Sequence, residues 1–320
     1  MPAHAGCIRL FGRFEAASHL GSVGGLEGRK AQELLAYVVL QKRAVQRERL
    51  AEQLWPGIEP SHSKKYLRQS LWQLHKALER LEAPGNHLLA VDQEWMSINK
   101  GTSIQIDVFE FEQRYSAALQ APAGLLDPQL RRPLEEAVEL YRGDLLEGWY
   151  CDWVGYYQDL YRSMYLRILD KLMHDAEEAG RWEVGLMYGR KALEIDRANE
   201  RAHVSMMRLY CIGGDRTSAL RQFGSCARAL REELEVDPED ATKRLHELIR
   251  VDGYNGVTRA LLRQPAVTPA SNDPGLPAAV SLDPLRNLNH SLHGLLREVS
   301  GQIHALEQVQ TAGRPQQLPS

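Results

Sequence analysis

The sequence predicts a mainly α-helical protein whose small β elements are confined to its N-terminal end, and three observations carry that prediction. Apolar residues recur at helical spacing from about residue 29 to residue 250, period-2 alternation is limited to short stretches before residue 100, and one segment repeats itself further along the chain. With 320 residues, 43% of them apolar and 25% charged, the chain can build two or three packed domains.

Ile8, Leu10 and Phe14 alternate with polar or small residues around Gly12, which marks a strand. A glycine-rich turn follows at Gly21, Gly24, Gly25 and Gly28; it lacks GxGxxG spacing and no GK[ST] occurs, so no nucleotide loop is predicted. From Arg29 the pattern turns helical, with Ala31, Leu34, Leu35 and Val38 on one face. A second helix covers residues 46–55, with Leu50 and Leu54 inward and Pro56-Gly57 as its stop. Ser61 is the expected N-cap of a third helix running to about Leu81, whose buried stripe is Leu67, Leu71, Leu74 and Leu78. After Pro84-Gly85-Asn86, the pairs Leu89/Val91 and Met96/Ile98 flank Asp92-Gln93-Glu94 and read as a hairpin. Strand, three helices and hairpin form the element order of a winged helix, assigned to residues 1–104.

Residues 105–250 read as helices throughout. Phe109, Phe111 and Leu119 mark one helix and residues 134–141 another. Trp149, Tyr150, Trp153, Tyr156, Tyr157, Tyr161 and Tyr165 crowd the next stretch; their helical spacing and the scarcity of Lys and Arg among them favour helix packing over a base-stacking platform. Leu172, Ala176, Gly180 and Ala192 recur as Met206, Tyr210, Gly214 and Cys226, a helix–turn–helix period of tetratricopeptide type. Gly180 and Gly213-Gly214 mark the turns, and the late closure at Glu235-Val236-Asp237-Pro238 calls for a longer or kinked last helix. Residues 251–284 have linker composition, rich in Pro, Gly, Ser and Ala. Leu285, Leu292, Val299 and Leu306 then repeat every seven residues, and three residues after each stand Leu288, Leu295, Gln302 and Val309, three of the four apolar. This predicts a coiled-coil helix over residues 285–310 that forms a homodimer or higher homo-oligomer, or, as the alternative, a helix docked on the body.

Charge is segregated. Residues 28–80 hold eleven Lys and Arg against five Asp and Glu, a net +6 in a chain whose total is −3, so residues 81–320 carry −9. An anionic partner for the first part alone would explain this, as would a solvated helix face. Opposite the leucine stripe of the third helix lie Lys65, Gln69, Trp72 and Lys76, with Arg68 and Gln73 on the flanks and Lys64 at the start. Lys and Arg reach phosphates or guanine, and Gln reads adenine in the major groove of double-stranded DNA. Two lysines read as lying in a first helical turn oppose the helix dipole at a cost of about 0.3–1 kcal/mol each, so stability alone does not select them. Lys64, Lys65, Arg68, Gln69, Trp72, Gln73 and Lys76 are therefore the candidate DNA-contacting residues; the competing view has Trp72 packed on the next domain and the lysines merely solvated.

Other classes find little support. The longest apolar run, residues 34–40, is far short of a bilayer span, and the first residues lack a signal-peptide layout. Four cysteines without a CxxC pair point to a reducing, cytoplasmic compartment. His62 and His75 stand at no ligand-forming interval, and DLLEGWYCDW has no partnering histidine nearby, so neither an enzyme, a metal site nor a cofactor is expected.

The segments GRKAQELLAYVVLQ, RERLAEQLWPG and KKYLRQSLWQLHKAL resemble the OmpR-type winged helix of SARP-type bacterial transcriptional activators. DVFEFEQRY, YRGDLLEGWYCDW and the repeats to about Arg250 resemble the bacterial transcriptional activation domain that follows it in that family. The resemblance implies sequence-specific binding to promoter direct repeats, with the third helix in the major groove, and recruitment of RNA polymerase. The third helix departs from the Arg-rich family pattern at Trp72, Gln73, His75 and Lys76, and the wing is acidic. The alternative is a repeat-based protein adaptor whose winged helix is a packing module. If the heptads oligomerise the protein, a chain ending at Arg250 sediments as a smaller species than the full-length protein; equal association states for both would remove that role.

Overall fold

The computed structural model describes residues 6–263 apart from 19–20, 23–25, 27, 82–85, 100 and 121–124. The alternation at residues 8–14 proves to be a hairpin's first strand and its turn. Strands β1 (Gly6–Arg9) and β2 (Glu15–Ser18) pair antiparallel with Ile8 opposite Ala16, and β3 (Gly21–Ser22) continues from β2. Helix α1 (Arg29–Gln41) follows, buried from Glu33 through Leu40 because it is covered on more than one side. Strand β4 (Val45–Gln46), helix α2 (Arg47–Leu54) and helix α3 (Pro60–Leu78) complete the helical core. Strands β5 (Leu89–Val91) and β6 (Trp95–Ile98) form the expected hairpin, Val91 opposite Met96, and β4 adds to it as a third strand. Strand β7 (Gln105–Ile106) returns to β1 in parallel, giving the order β3-β2-β1-β7.

The cap of α3 corrects the sequence reading. Glu59, rather than Ser61, is the N-cap: its carboxylate accepts the N–H of Ser61 at 3.0 Å and of His62 at 3.3 Å, and Pro60 occupies the first helical position, where its missing N–H costs nothing. Lys64 and Lys65 consequently stand beyond the first turn, and the cap supplies the negative charge that suits the dipole.

Helices α4 (Asp107–Gln120) and α5 (Pro128–Leu140) precede the repeats. The first repeat is α6 (Asp152–Glu178) with α7 (Trp182–Ile195), and the second is α8 (Glu200–Ile212) with α9 (Arg216–Leu234). Gly180 and Gly214 take left-handed φ values of 66° and 78° in the turns, where the sequence placed them. The late closure is a longer α9, 19 residues against 14 in α7. Across the two repeats Arg201 faces Asp170 at 3.8 Å and Arg208 faces Glu177 at 3.7 Å, a two-rung ladder at seven-residue spacing between α6 and α8. Helix α10 (Asp240–Arg263) packs on α8 and α9. It runs well past residue 251, so the first part of the stretch assigned to a linker is helical: its composition change sets in before the helical pattern ends. The rest of that linker and the heptads of residues 285–310 lie outside the described residues.

The winged helix and the repeats are stitched together by main chain. Gly12, with φ of 77°, turns the chain between β1 and β2, and its N–H donates to the Asp144 carbonyl at 2.9 Å. The Leu146 N–H donates to the Leu10 carbonyl at 2.7 Å, and the Glu147 N–H to the Gly12 carbonyl at 2.8 Å. From the other side the carboxylate of Asp107 accepts the N–H groups of Leu10 and Phe11 at 2.8 and 2.9 Å. Phe11 sits at the centre of a ring cluster, 5.0 Å from Phe111 and Tyr141 and 5.3 Å from Tyr161. The aromatic stretch is therefore packing material: Trp149, Tyr157, Tyr161 and Tyr165 are buried, Trp149 stacks on Phe14, and Trp153 meets Tyr37 of α1 edge-on at 5.1 Å. Tyr150 is the exception, almost wholly exposed.

Two tests follow from this packing. Burial pushes the Asp107 carboxyl up to about 6 against the N–H donors that oppose the shift. Because its folded pKa lies above the unfolded one, the group stabilises the fold fully below about pH 4, and that contribution is lost as pH rises through 6. The unfolding free energy of the natural chain relative to Asp107→Asn should therefore fall by about 2–3 kcal/mol between pH 4 and 7 in urea titrations; a constant gap would show that this carboxyl does not titrate there. At Gly189 of α7 an added Cβ would stand 2.5 Å from Met206 Cγ, whereas at Gly224 of α9 it would meet nothing within 4 Å. Gly189→Val should cost about 1–3 kcal/mol and Gly224→Ala should add about 0.5–1 kcal/mol, both read from denaturation midpoints.

Candidate nucleic-acid interface

The candidate surface is the outer face of α3, and the inner face explains its orientation. Ser63, Leu67, Ser70, Leu71, Leu74, Ala77 and Leu78 are buried at helical spacing against α1 and α2. That seating turns Lys64, Lys65, Arg68, Gln69, Trp72 and Lys76 to solvent. Trp72 is 63% exposed and does not pack on the following domain; the ammonium of Lys76 lies 5.2 Å from its ring centre, a contact that holds both side chains against the helix surface.

The predicted residues do not all stand alike. Lys64 donates to the Glu48 carboxylate on α2 at 2.7 Å, an exposed ion pair that screening makes weak and that a phosphate can replace. Gln73 is half-buried, and its amide oxygen lies against the backbone of Gly28, where an added Cβ would come within 3.2 Å of it. It faces the start of α1, away from the row formed by Lys65, Gln69, Trp72 and Lys76. Tyr66 leans on Trp55 at 6.2 Å, which fixes the α2–α3 turn from its exposed side.

Sequence reasoning missed how the hairpin is held. The Arg47 guanidinium donates to the Asp92 carbonyl at 3.0 Å, and the Arg47 main-chain N–H donates to the Glu94 carbonyl at 2.8 Å. Asp92 accepts the N–H groups of Glu94 and Trp95 through its side chain, and these bonds hold its carboxyl below the usual range. The acid at the hairpin tip thus closes the turn, and a cation from α2 lies beside it. The only signal for this in the sequence was the arginine that opens α2, since the pairing of β4 with β6 joins residues about fifty positions apart.

Chemically, this face offers ammonium, guanidinium, carboxamide and indole groups in a row about three turns long, with no acid among them. Such a row can bond phosphate oxygens and base edges in one groove. Among the described residues no cluster of His, Cys, Asp and Glu has the make-up of a metal site, and His62 and His75 are both exposed. The four cysteines are unpaired, and burial pushes the thiols of Cys211 and Cys226 up to about 11 and about 12. No described helix is long and apolar enough to cross a membrane.

Residues 106–250 match the family described as bacterial transcriptional activator domain. The solved structure of Mycobacterium tuberculosis EmbR in complex with low affinity phosphopeptide aligns with a TM-score of 0.63 at 20% identity, covering 81% of this chain and 69% of that one, a likeness of fold. No curated protein matches the sequence. Residues 106–250, somewhat under half of the chain, thus resemble a bacterial transcriptional activator domain, and in the structure they follow the winged helix.

Proposed function

We propose that this protein is a sequence-specific DNA-binding transcriptional activator that reads promoter direct repeats through α3 and recruits RNA polymerase through its repeat domain. The observation that carries the reading is the α3 surface: a buried leucine stripe on one side and an uninterrupted row of exposed donors on the other. The net +6 of residues 28–80 against the acidic remainder supports it, because a duplex presents a dense line of negative charge to that part alone. A cytoplasmic location and the absence of catalysis follow from the reading. Two copies joined through residues 285–310 would present two recognition helices to paired half-sites.

Lys65 and Arg68 serve phosphates or guanine edges, Gln69 a base, and Trp72 a sugar or a thymine methyl. Lys64 exchanges Glu48 for a phosphate. Gln73 takes part only by leaving its seat against Gly28, so its effect on binding is the smallest.

Fluorescence anisotropy on a site selected from genomic fragments tests this. Lys65→Ala and Arg68→Ala should each weaken binding and lower the salt slope by about one, and Gln69→Ala should relax discrimination at one base pair by about 1–3 kcal/mol. Trp72→Ala should weaken binding while changing folding stability by less than about 0.5 kcal/mol, since its side chain is mostly in water. If all four variants bind DNA as the natural chain does, α3 is not the reading helix; if the full chain retains no genomic DNA at low salt, the adaptor reading takes its place.

A further inference from the structure

A cleft of about 390 Å³ opens between α6 and the start of α8, on the side of the repeats where the Arg201–Asp170 rung lies. Its floor includes Leu166, Met173 and Ala202, and its walls carry Arg162, Arg167 and Arg201. That size and mixture of an apolar floor with a few polar groups is what small-molecule sites use. We propose that this cleft is an effector site for a small organic anion, an apolar body bearing a carboxylate or phosphate group, and that its occupancy is felt at the joint that carries the winged helix.

The charge balance within the cleft supports an anion. Asp159 and Asp170 also line it, yet neither satisfies the arginines. Arg201 reaches a carboxylate only at 3.8 Å from Asp170, too long for a hydrogen bond, with four-fifths of its side chain in water. Asp159 stands 3.6 Å from Arg162 and is itself mostly exposed. Arg167 is exposed, and burial together with the Arg167 charge pushes the neighbouring Lys171 ammonium down. Guanidinium groups with unfilled donors bind carboxylate and phosphate in a two-pronged geometry.

Arg162 links the cleft to the joint. While lining the cleft, it donates through Nε to Asp144 at 2.7 Å and through Nη2 to the other oxygen of the same carboxylate. The main-chain carbonyl of Asp144 in turn accepts the Gly12 N–H in the turn between β1 and β2. An anion that draws on Arg162 competes with Asp144 and so has unequal affinity for a tight and a loosened joint, which is the condition for shifting between them.

The test uses the full chain with phenyl phosphate and phenylacetate as probes and benzyl alcohol as the neutral control, followed by calorimetry and by amide hydrogen exchange. Either anion should bind saturably at about one site per chain while benzyl alcohol does not, and the stronger of the two identifies the headgroup. Arg201→Gln and Arg167→Gln, both surface changes, should each weaken binding by about tenfold, a loss of one charge-assisted bond, and Lys65→Ala should leave it unchanged. Exchange at the Gly12 and Leu146 amides should quicken with ligand. Absence of saturable binding by both anions, or binding untouched by the two arginine variants, overturns the site. Saturable binding with unchanged exchange at Gly12 and Leu146 overturns the coupling. Neither read-out depends on DNA binding, so the effector site can fail while the activator reading stands, and the reverse.

Discussion

The turn between β1 and β2 hydrogen-bonds in two directions at once, and the rest of the structure depends on it. Leu10 and Phe11 give their N–H groups to the Asp107 carboxylate, and the Leu10 and Gly12 carbonyls receive N–H groups from Leu146 and Glu147. Buried main-chain groups must find partners, and here those of the N-terminal sheet find them in the segment that leads into the repeats. Withdrawing either side would leave several polar groups unsatisfied at about 1–3 kcal/mol each. The winged helix is thereby held in place by the domain that follows it.

Ring packing fills the space that these bonds define. Phe11 points from the turn into Phe111 of α4, Tyr141 just past the end of α5 and Tyr161 of α6, while Trp149 is stacked on Phe14 and covered by the Arg29 guanidinium at 4.0 Å. Tyr161 also donates to Glu112, which pairs with Lys42 at the end of α1. Apolar and ionic contacts thus converge on the same seam. Helix α1 is buried nearly all round because the winged-helix core takes one face and the repeat domain another. The consequence for α3 is indirect: with α1 pinned, the leucine stripe of α3 has one seat, and its donor row has one direction.

Much of this was legible in the residues. The 3.6-residue periodicity of α1, α2 and α3, the hairpin at Asp92, and the glycine-marked repeat turns follow from local rules that act within a few positions, and they lie where those rules put them. The outward face of α3 follows as well, since the position of the leucines decides what points away. Details that depend on distant chain were not legible. Gln73 turned toward Gly28 and Arg47 went to the hairpin, whereas the cap of α3 was settled locally, by a glutamate two residues upstream of Ser61 whose carboxylate takes the first helix N–H groups. The end of α10 was misplaced because Pro and Gly further along coloured the composition of a stretch that is still helical at Arg263.

The sequence by itself determined the helical and extended segments, the sign of charge on residues 28–80 and on the rest of the chain, and the side of α3 left for solvent. Periodicity, turn residues and charge are properties of neighbouring positions, which is why they can be read without a fold. Only the tertiary structure decided that residues 10–12 meet residues 144–147, that the aromatic stretch packs against the N-terminal elements, and that Arg162 both holds Asp144 and lines a cleft. Those contacts join positions more than a hundred residues apart or faces of separate helices, and no local pattern records which partner a buried hydrogen-bonding group will find.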